Sequence, residues 1–321
     1  MTRGMQTGRQ STLRQHATVT GVGIHSGLPV ILTLHPAEPN TGLVFMRCGP
    51  NGQGDREVRA DYRAVTATEF ATVLGDDGGP AISTTEHILA VLRGLEVDNA
   101  IVEIDGPEIP IMDGSAAGFV AAIDQAGIVT QPAPRRYIQV LKAVRIGTNG
   151  TYGELRPYPT GLRIEAEIEF DHALIGHQTF SIDVEPTAFR RELARARTFG
   201  FMRDVTKLWG AGYAIGASFE NTVVVAENRV LNPEGLRFPD EFVRHKVVDA
   251  IGDLALAGAP LIGAYRSVRG GHKLNHAVLS ALMADRTAWT YVETPEPARR
   301  IRGHGEAATA FTAPAYGPDV S

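Results

Sequence analysis

The run Arg244-His245-Lys246-Val247-Val248-Asp249-Ala250-Ile251-Gly252-Asp253 constrains the fold more than any other stretch of the chain. His245, Asp249 and Asp253 follow one another at intervals of four. On a helix this spacing puts them in one column, with neighbouring Cβ atoms roughly 5–6 Å apart. The residues around the column are apolar: Phe242, Val243, Val247, Val248, Ile251, Leu254 and Leu256. An ionisable column inside an apolar helix must have partners, because buried charge without compensation is costly. A zinc ion takes imidazole nitrogen and carboxylate oxygen at about 2.0–2.2 Å, so one ion bridges two such neighbours. The competing reading is a surface ion pair, which contributes only about 0.3–0.5 kcal/mol. A third ligand and a base decide between the two.

Ser83-Thr84-Thr85-Glu86-His87 stands ahead of the apolar run Ile88, Leu89, Val91, Leu92 and Leu95. Alone, Glu86 reads as half of a capping box with Ser83, and His87 as a first-turn histidine. Joined to the distant column, His87, His245 and Asp249 give the ligand count of an open catalytic zinc site. Glu86 then supplies the unligated carboxylate that such a site needs as a base. A third segment, Arg269-Gly270-Gly271-His272, is a glycine-flanked histidine ahead of a helix. Its glycines permit positive φ. His272 reads either as a turn residue or as an acid, with Asp253 one turn below Asp249 available to orient its imidazole.

The 321 residues suffice for a sizeable core and two domains. The net charge of −5 and the lack of a basic block or an aromatic–basic RNA motif argue against nucleic acid as a partner. One cysteine, Cys48, excludes an intrachain disulfide and fits a reducing compartment. With no apolar run behind the N-terminus and no membrane-length apolar stretch, the expectation is a cytoplasmic protein without stable membrane insertion.

Residues 1–10 are polar and expected to be loose. Strands are expected near 28–34, 42–46, 99–104, 137–146, 162–170 and 222–226, and helices near 84–95, 115–126 (capped by Asp113), 186–195 and 239–258. Another helix is expected from about Lys273. Gln131-Pro132-Ala133-Pro134-Arg135-Arg136 reads as an interdomain linker. It separates a first domain over 1–131 from a second over 136–297, with a loose tail over 298–321. The irregular alternation of strands and helices predicts α+β layers.

These segments, with Thr20-Gly21-Val22-Gly23-Ile24-His25-Ser26-Gly27, Pro107 to Ala116, Ala194 to Arg203 and Gly271-His272-Lys273-Leu274-Asn275, carry a family resemblance. From about residue 10 to 293 the chain closely resembles the bacterial zinc-dependent UDP-3-O-acyl-N-acetylglucosamine deacetylases of lipid A synthesis. The resemblance implies two similar two-layer α/β-sandwich domains with the active site at their interface. It implies one zinc ion on His87, His245 and Asp249, with Glu86 as base. Thr198 would stabilise the oxyanion, and His272, oriented by Asp253, would act as the cation. It gives the substrate as a small molecule, an acylated UDP-N-acetylglucosamine. Lys246 and Arg269 would meet its diphosphate, and Phe170 and Glu169 its uracil. Ile24, Phe199, Phe201, Val205, Ala214, Ala217, Ser218 and Phe219 would line a passage for the acyl chain, each buried methylene contributing about 0.8 kcal/mol. Some relatives carry a cysteine near the metal; the loop from Gly75 to Pro80 has none. Two other readings stand beside this one: a zinc amidohydrolase for another acetylated sugar, and a non-catalytic binder of acylated nucleotide sugars.

Overall fold

A computed structural model of the protein describes residues 8–49, 55–76, 81–148 and 150–293. Its architecture is α+β. A five-stranded mixed sheet is formed by strands Ala17–Val22, Pro29–Pro36, Ala100–Ile104, Leu43–Arg47 and Arg56–Arg59 in that spatial order. A seven-stranded mixed sheet comes wholly from residues 136–293. Its central strand, Leu261–Val268, runs parallel to Arg136–Val140 and to Leu162–Glu169. The alternation read at 162–169 is realised: Ile164, Ala166 and Ile168 are buried while Glu165 and Glu167 are partly exposed.

The helices are α1 (Glu86–Gly94), α2 (Ala117–Ala126), a short α3 (Pro186–Ala188), α4 (Val205–Gly210), α5 (Glu241–Ala255) and α6 (His272–Ala284). α5 packs on strands Leu162–Glu169 and His177–Asp183, α6 packs on the hairpin from residues 144 to 156, and α2 packs on strand Ala17–Val22. α1 and α5 lie directly against each other and are buried on nearly every side. Both are apolar around most of their circumference, which is the pattern of an interior helix. Gly252 permits this contact: a Cβ there would stand 2.0 Å from the carbonyl oxygen of Glu86. The missing side chain lets the first turn of α1 settle onto the polar column of α5.

Several local expectations are corrected. Residues 9 and 10 are not loose, because Arg9–Leu13 pairs antiparallel with Ile128–Pro134. That pairing also takes most of the expected linker at 131–136, whose prolines tolerate an edge position. The strand expected over 137–146 is two strands, Arg136–Val140 and Val144–Thr148. Asp113 does not cap α2. Its carboxylate accepts from the amide and hydroxyl of Ser115 in a turn that precedes the helix. Glu86 does not reach back to Ser83; its Oε2 accepts from the amide of Thr72. The positive φ that Gly270 and Gly271 would permit is used at neither; Arg269 carries one, at 51°. The tail over 298–321 lies outside the described residues.

Candidate metal centre and its cavity

His87 enters from the first turn of α1, and His245 and Asp249 from successive turns of α5. All three are buried. His87 Nε2 stands 3.1 Å from His245 Nε2 and 3.7 Å from Asp249 Oδ1, and His245 Nε2 is 3.3 Å from the same oxygen. A tetrahedral ion with bonds of about 2.0–2.2 Å requires ligand atoms about 3.3–3.6 Å apart. The three donors therefore match one face of such a polyhedron. The tautomer fits as well. His245 Nδ1 donates to the carbonyl of Ala196 at 3.0 Å, so its Nε2 keeps the lone pair that faces the other ligands. Burial, only partly offset by Asp249, lowers the His245 pKa to about 3 and keeps the ring neutral. Burial opposes ionisation of Asp249, but Lys246 and His245 outweigh it and hold that carboxyl well below its ordinary range. Its Oδ2 accepts from Lys246 Nζ at 2.9 Å, which leaves Oδ1 for the histidines.

The acid–base groups stand beside this cluster. Glu86 is buried at the α1 terminus, and burial pushes its carboxyl above the ordinary range against the pull of His272 and His87. Its Oε2 is held by Thr72, while Oε1 faces His272 Nε2 at 3.9 Å. His272 Nδ1 donates to Asp253 Oδ2 at 2.9 Å. Burial alone would lower the His272 pKa, but Asp253 and Glu86 reverse that and raise it to about 9. Asp253 is held at both oxygens: Oδ2 also accepts from Asn275 at 2.8 Å, and Oδ1 from the Thr72 hydroxyl at 2.5 Å.

A cavity of about 250 Å³ opens above these groups. Glu86, His87, His245, Lys246, Asp249 and His272 line its floor. Its walls include Ile24, Thr198, Phe199, Phe201, Val205, Ala214 and Ala217, all expected from the sequence. Thr198 is pinned on both sides, its amide donating to Gly114 and its carbonyl accepting from Val223. Gly114 has φ 81°, and a Cβ there would meet the carbonyl oxygen of Asn221 at 2.1 Å, so only glycine lets this wall close.

Other expected residues lie elsewhere. Ser218 and Phe219 do not line the cavity. Ser218 is tied into a turn with Asn221 and Glu220, and the Phe219 ring is about half exposed (49%). Arg269 and Glu169 are exposed and form an ion pair with each other. Phe170 is half-buried against Phe199 and Phe201, with ring centroids 5.8 and 5.7 Å apart.

The sequence reading missed Thr72, which donates to both Glu86 and Asp253, and it missed His25, Phe70, Leu208 and Val224 on the cavity wall. It also missed the buried pair Arg197–Glu241. That pair fixes the backbone beside Ala196, whose carbonyl holds His245. Asn275 lay within a quoted motif, three residues after His272, and helical spacing alone could have placed it on the same face.

A buried two-histidine, one-carboxylate cluster with a free carboxylate beside it, at the floor of a largely apolar cavity, defines a site of the mononuclear metallohydrolase class. Comparison with known proteins narrows the class. Residues 10–284 match the family model described as UDP-3-O-acyl N-acetylglycosamine deacetylase. Proteins named UDP-3-O-acyl-N-acetylglucosamine deacetylase from Brucella melitensis biotype 2, Brucella ovis and Brucella abortus (strain S19) are each 48% identical over 285 residues. Each alignment covers 88% of this chain and 98% of the relative. The chain belongs to the UDP-3-O-acyl N-acetylglycosamine deacetylase family.

Proposed function

We propose that the protein hydrolyses the N-acetyl group of a UDP-3-O-(3-hydroxyacyl)-N-acetylglucosamine, giving acetate and the free glucosamine amine, an early committed step of lipid A synthesis. The observation that carries this reading is the meeting of His87, His245 and Asp249 at ligand distances with Glu86 beside them under an apolar cavity. We take the ion to be zinc, one per chain, because two imidazoles and one carboxylate leaving a free vertex suit it. When bound, the ion acidifies a coordinated water and polarises the acetamide carbonyl.

The remaining work falls to the chain. Glu86 accepts the water proton through Oε1, the oxygen that Thr72 does not hold. As the oxygen–carbon bond forms and the carbon–nitrogen bond breaks, His272 serves as the acid for the departing amine. Asp253 keeps it charged and aimed. Thr198 supports the carbonyl oxygen from the wall. Lys246, whose side chain lines the cavity beside Asp249 and is partly exposed, would meet the diphosphate. Ile24, Phe199, Phe201, Val205, Ala214 and Ala217 receive the acyl chain.

We assign residues 1–131 and 136–297 to two domains that each bring part of the site. Supporting this, the five-stranded sheet draws only on residues 17–104, and the seven-stranded sheet only on residues 136–293. Among the described residues no helix is long and apolar enough to cross a membrane. We place the reaction in the cytoplasm. The test is acetate release from the acylated UDP-sugar with and without a chelator. Release that stops with chelation and returns with zinc is expected; release insensitive to chelation refutes the reading. A much lower kcat/KM on the substrate lacking its acyl chain separates it from a deacetylase of simpler sugars, and any turnover at all separates it from a binding protein.

A further inference from the structure

The far end of α1 carries a group that the proposed reaction does not use. Arg93 lies in the last turn of the helix whose first turn holds Glu86 and His87, about 10 Å further along the axis. Its side chain is nine-tenths buried, at 9% exposure. Among the described residues its guanidinium makes no hydrogen bond, and its Nε is fully enclosed without a partner. The nearest carboxylate oxygen, on Asp98, is 4.0 Å away. The oxygen it faces is Oδ1, too far for a hydrogen bond, while Asp98 Oδ2 accepts from the Ser11 amide and from Arg135 Nε, each at 2.8 Å. The Tyr137 hydroxyl, lining the same crevice, is likewise buried without a partner. On the other side Arg93 opens onto a cavity of about 160 Å³, where the Arg136 guanidinium lies over the Tyr291 ring at 4.1 Å.

A guanidinium offers five N–H donors in a planar fork. Leaving a buried charged donor unmade costs more than the roughly 1–3 kcal/mol of a neutral one. Water filling the cavity would satisfy donors but leave the charge uncompensated. An oxyanion does both, through paired charge-assisted bonds. Across the two adjoining cavities the buried guanidiniums of Arg93 and Arg135 face Glu96 and Asp98, and the exposed Arg136 adds a third positive charge at the mouth.

We propose that this seam, on the opposite end of α1 from the metal ligands, binds a small oxyanion, a phosphate or carboxylate group, with Arg93 as its principal contact. The site is separate from the substrate cavity, and its occupancy braces α1 against the Gly258-Ala259-Pro260 turn. The proposal is independent of the deacetylase reading.

The test is thermal unfolding of the metal-loaded protein against inorganic phosphate and, separately, acetate, up to about 20 mM. The unaltered protein is compared with Arg93→Met, which keeps the apolar stem and removes the fork. A saturable rise of a few degrees in the unaltered protein, absent in Arg93→Met, is expected. The tighter of the two anions identifies the ligand class. No saturable rise, or an equal rise in Arg93→Met, overturns the proposal. Should Arg93→Met fail to fold, a crystal structure of the unaltered protein grown with the same anions decides. An oxyanion bonded to Arg93 supports the site, and water alone there refutes it.

Discussion

Replacing Asp253 by asparagine should isolate what one buried charge does for this site. The substitution keeps shape and bonding. The asparagine oxygen can still accept from His272 and Asn275, and its amide can donate to the Thr72 hydroxyl. What disappears is the negative charge 2.9 Å from the imidazole. In the unaltered protein the His272 pKa is raised from 6.5 to about 9, against burial that would lower it. That lift corresponds to about 3 kcal/mol in favour of the imidazolium. Glu86, at 3.9 Å, supplies part of it. A hydrogen bond to a charged group accounts for about 1.5–3 kcal/mol, so the asparagine should cost His272 about 1–2 units.

The readout is the pH profile of kcat/KM for the zinc-loaded protein. His272 acts protonated, so activity falls as pH rises through its pKa. In Asp253→Asn the alkaline limb should move down by about 1–2 units, while the acid limb, set by Glu86, moves less and in the same direction, because Asp253 contributes only a minor part of the Glu86 shift. At pH near 8.5 this is a loss of roughly 3- to 30-fold, shrinking toward neutral pH. Stability follows the same sign. His272 has a raised folded pKa, so its pairing stabilises fully below about 6.5 and is lost as pH rises through about 9. The variant should therefore unfold more readily at pH 6 and approach the unaltered protein above pH 9. An alkaline limb that does not move, in a variant with full zinc content, would refute the role given to His272 and Asp253.

Three further outcomes are expected. Glu86→Gln should retain its zinc by elemental analysis and lose about 10²–10⁴ in kcat with little change in KM; normal turnover would remove Glu86 from proton transfer. Thr72→Val strips a donor from Asp253 and leaves its charge less shared, so it should raise the alkaline limb and lower kcat through lost positioning while Thr72→Ser restores both, and a serine variant as impaired as valine would point to packing instead. Gly252→Ala forces a methyl against the Glu86 carbonyl, so it should cost about 1–3 kcal/mol in denaturant unfolding and weaken zinc retention, and an unchanged midpoint would refute the close contact of α1 with α5.

What the sequence could and could not reveal divides along a physical line. Periodicity exposes residues that share an element, because helix geometry turns a spacing of four into adjacency. His245, Asp249 and Asp253 were therefore legible from the spacing itself, and so was the strand whose Ile164, Ala166 and Ile168 face inward. Adjacency between elements leaves no spacing to read. That His87 meets His245 followed from counting ligands and from family resemblance; the structure brings them to 3.1 Å because Gly252 removes a side chain that would hold the helices apart. Thr72 was invisible for the same reason. It sits 14 residues before Glu86 and 181 before Asp253, and its amide, hydroxyl and carbonyl reach three different partners. The errors have a common cause as well. Residue type favours a helix cap for Asp113 and, for Glu86 taken alone, half of a capping box. In both cases a partner distant in sequence claims the carboxylate instead: Arg237 for Asp113 and Thr72 for Glu86. Local propensity is worth about 1 kcal/mol per cap, and a buried carboxylate loses more than that if left without donors, so the long-range partner prevails.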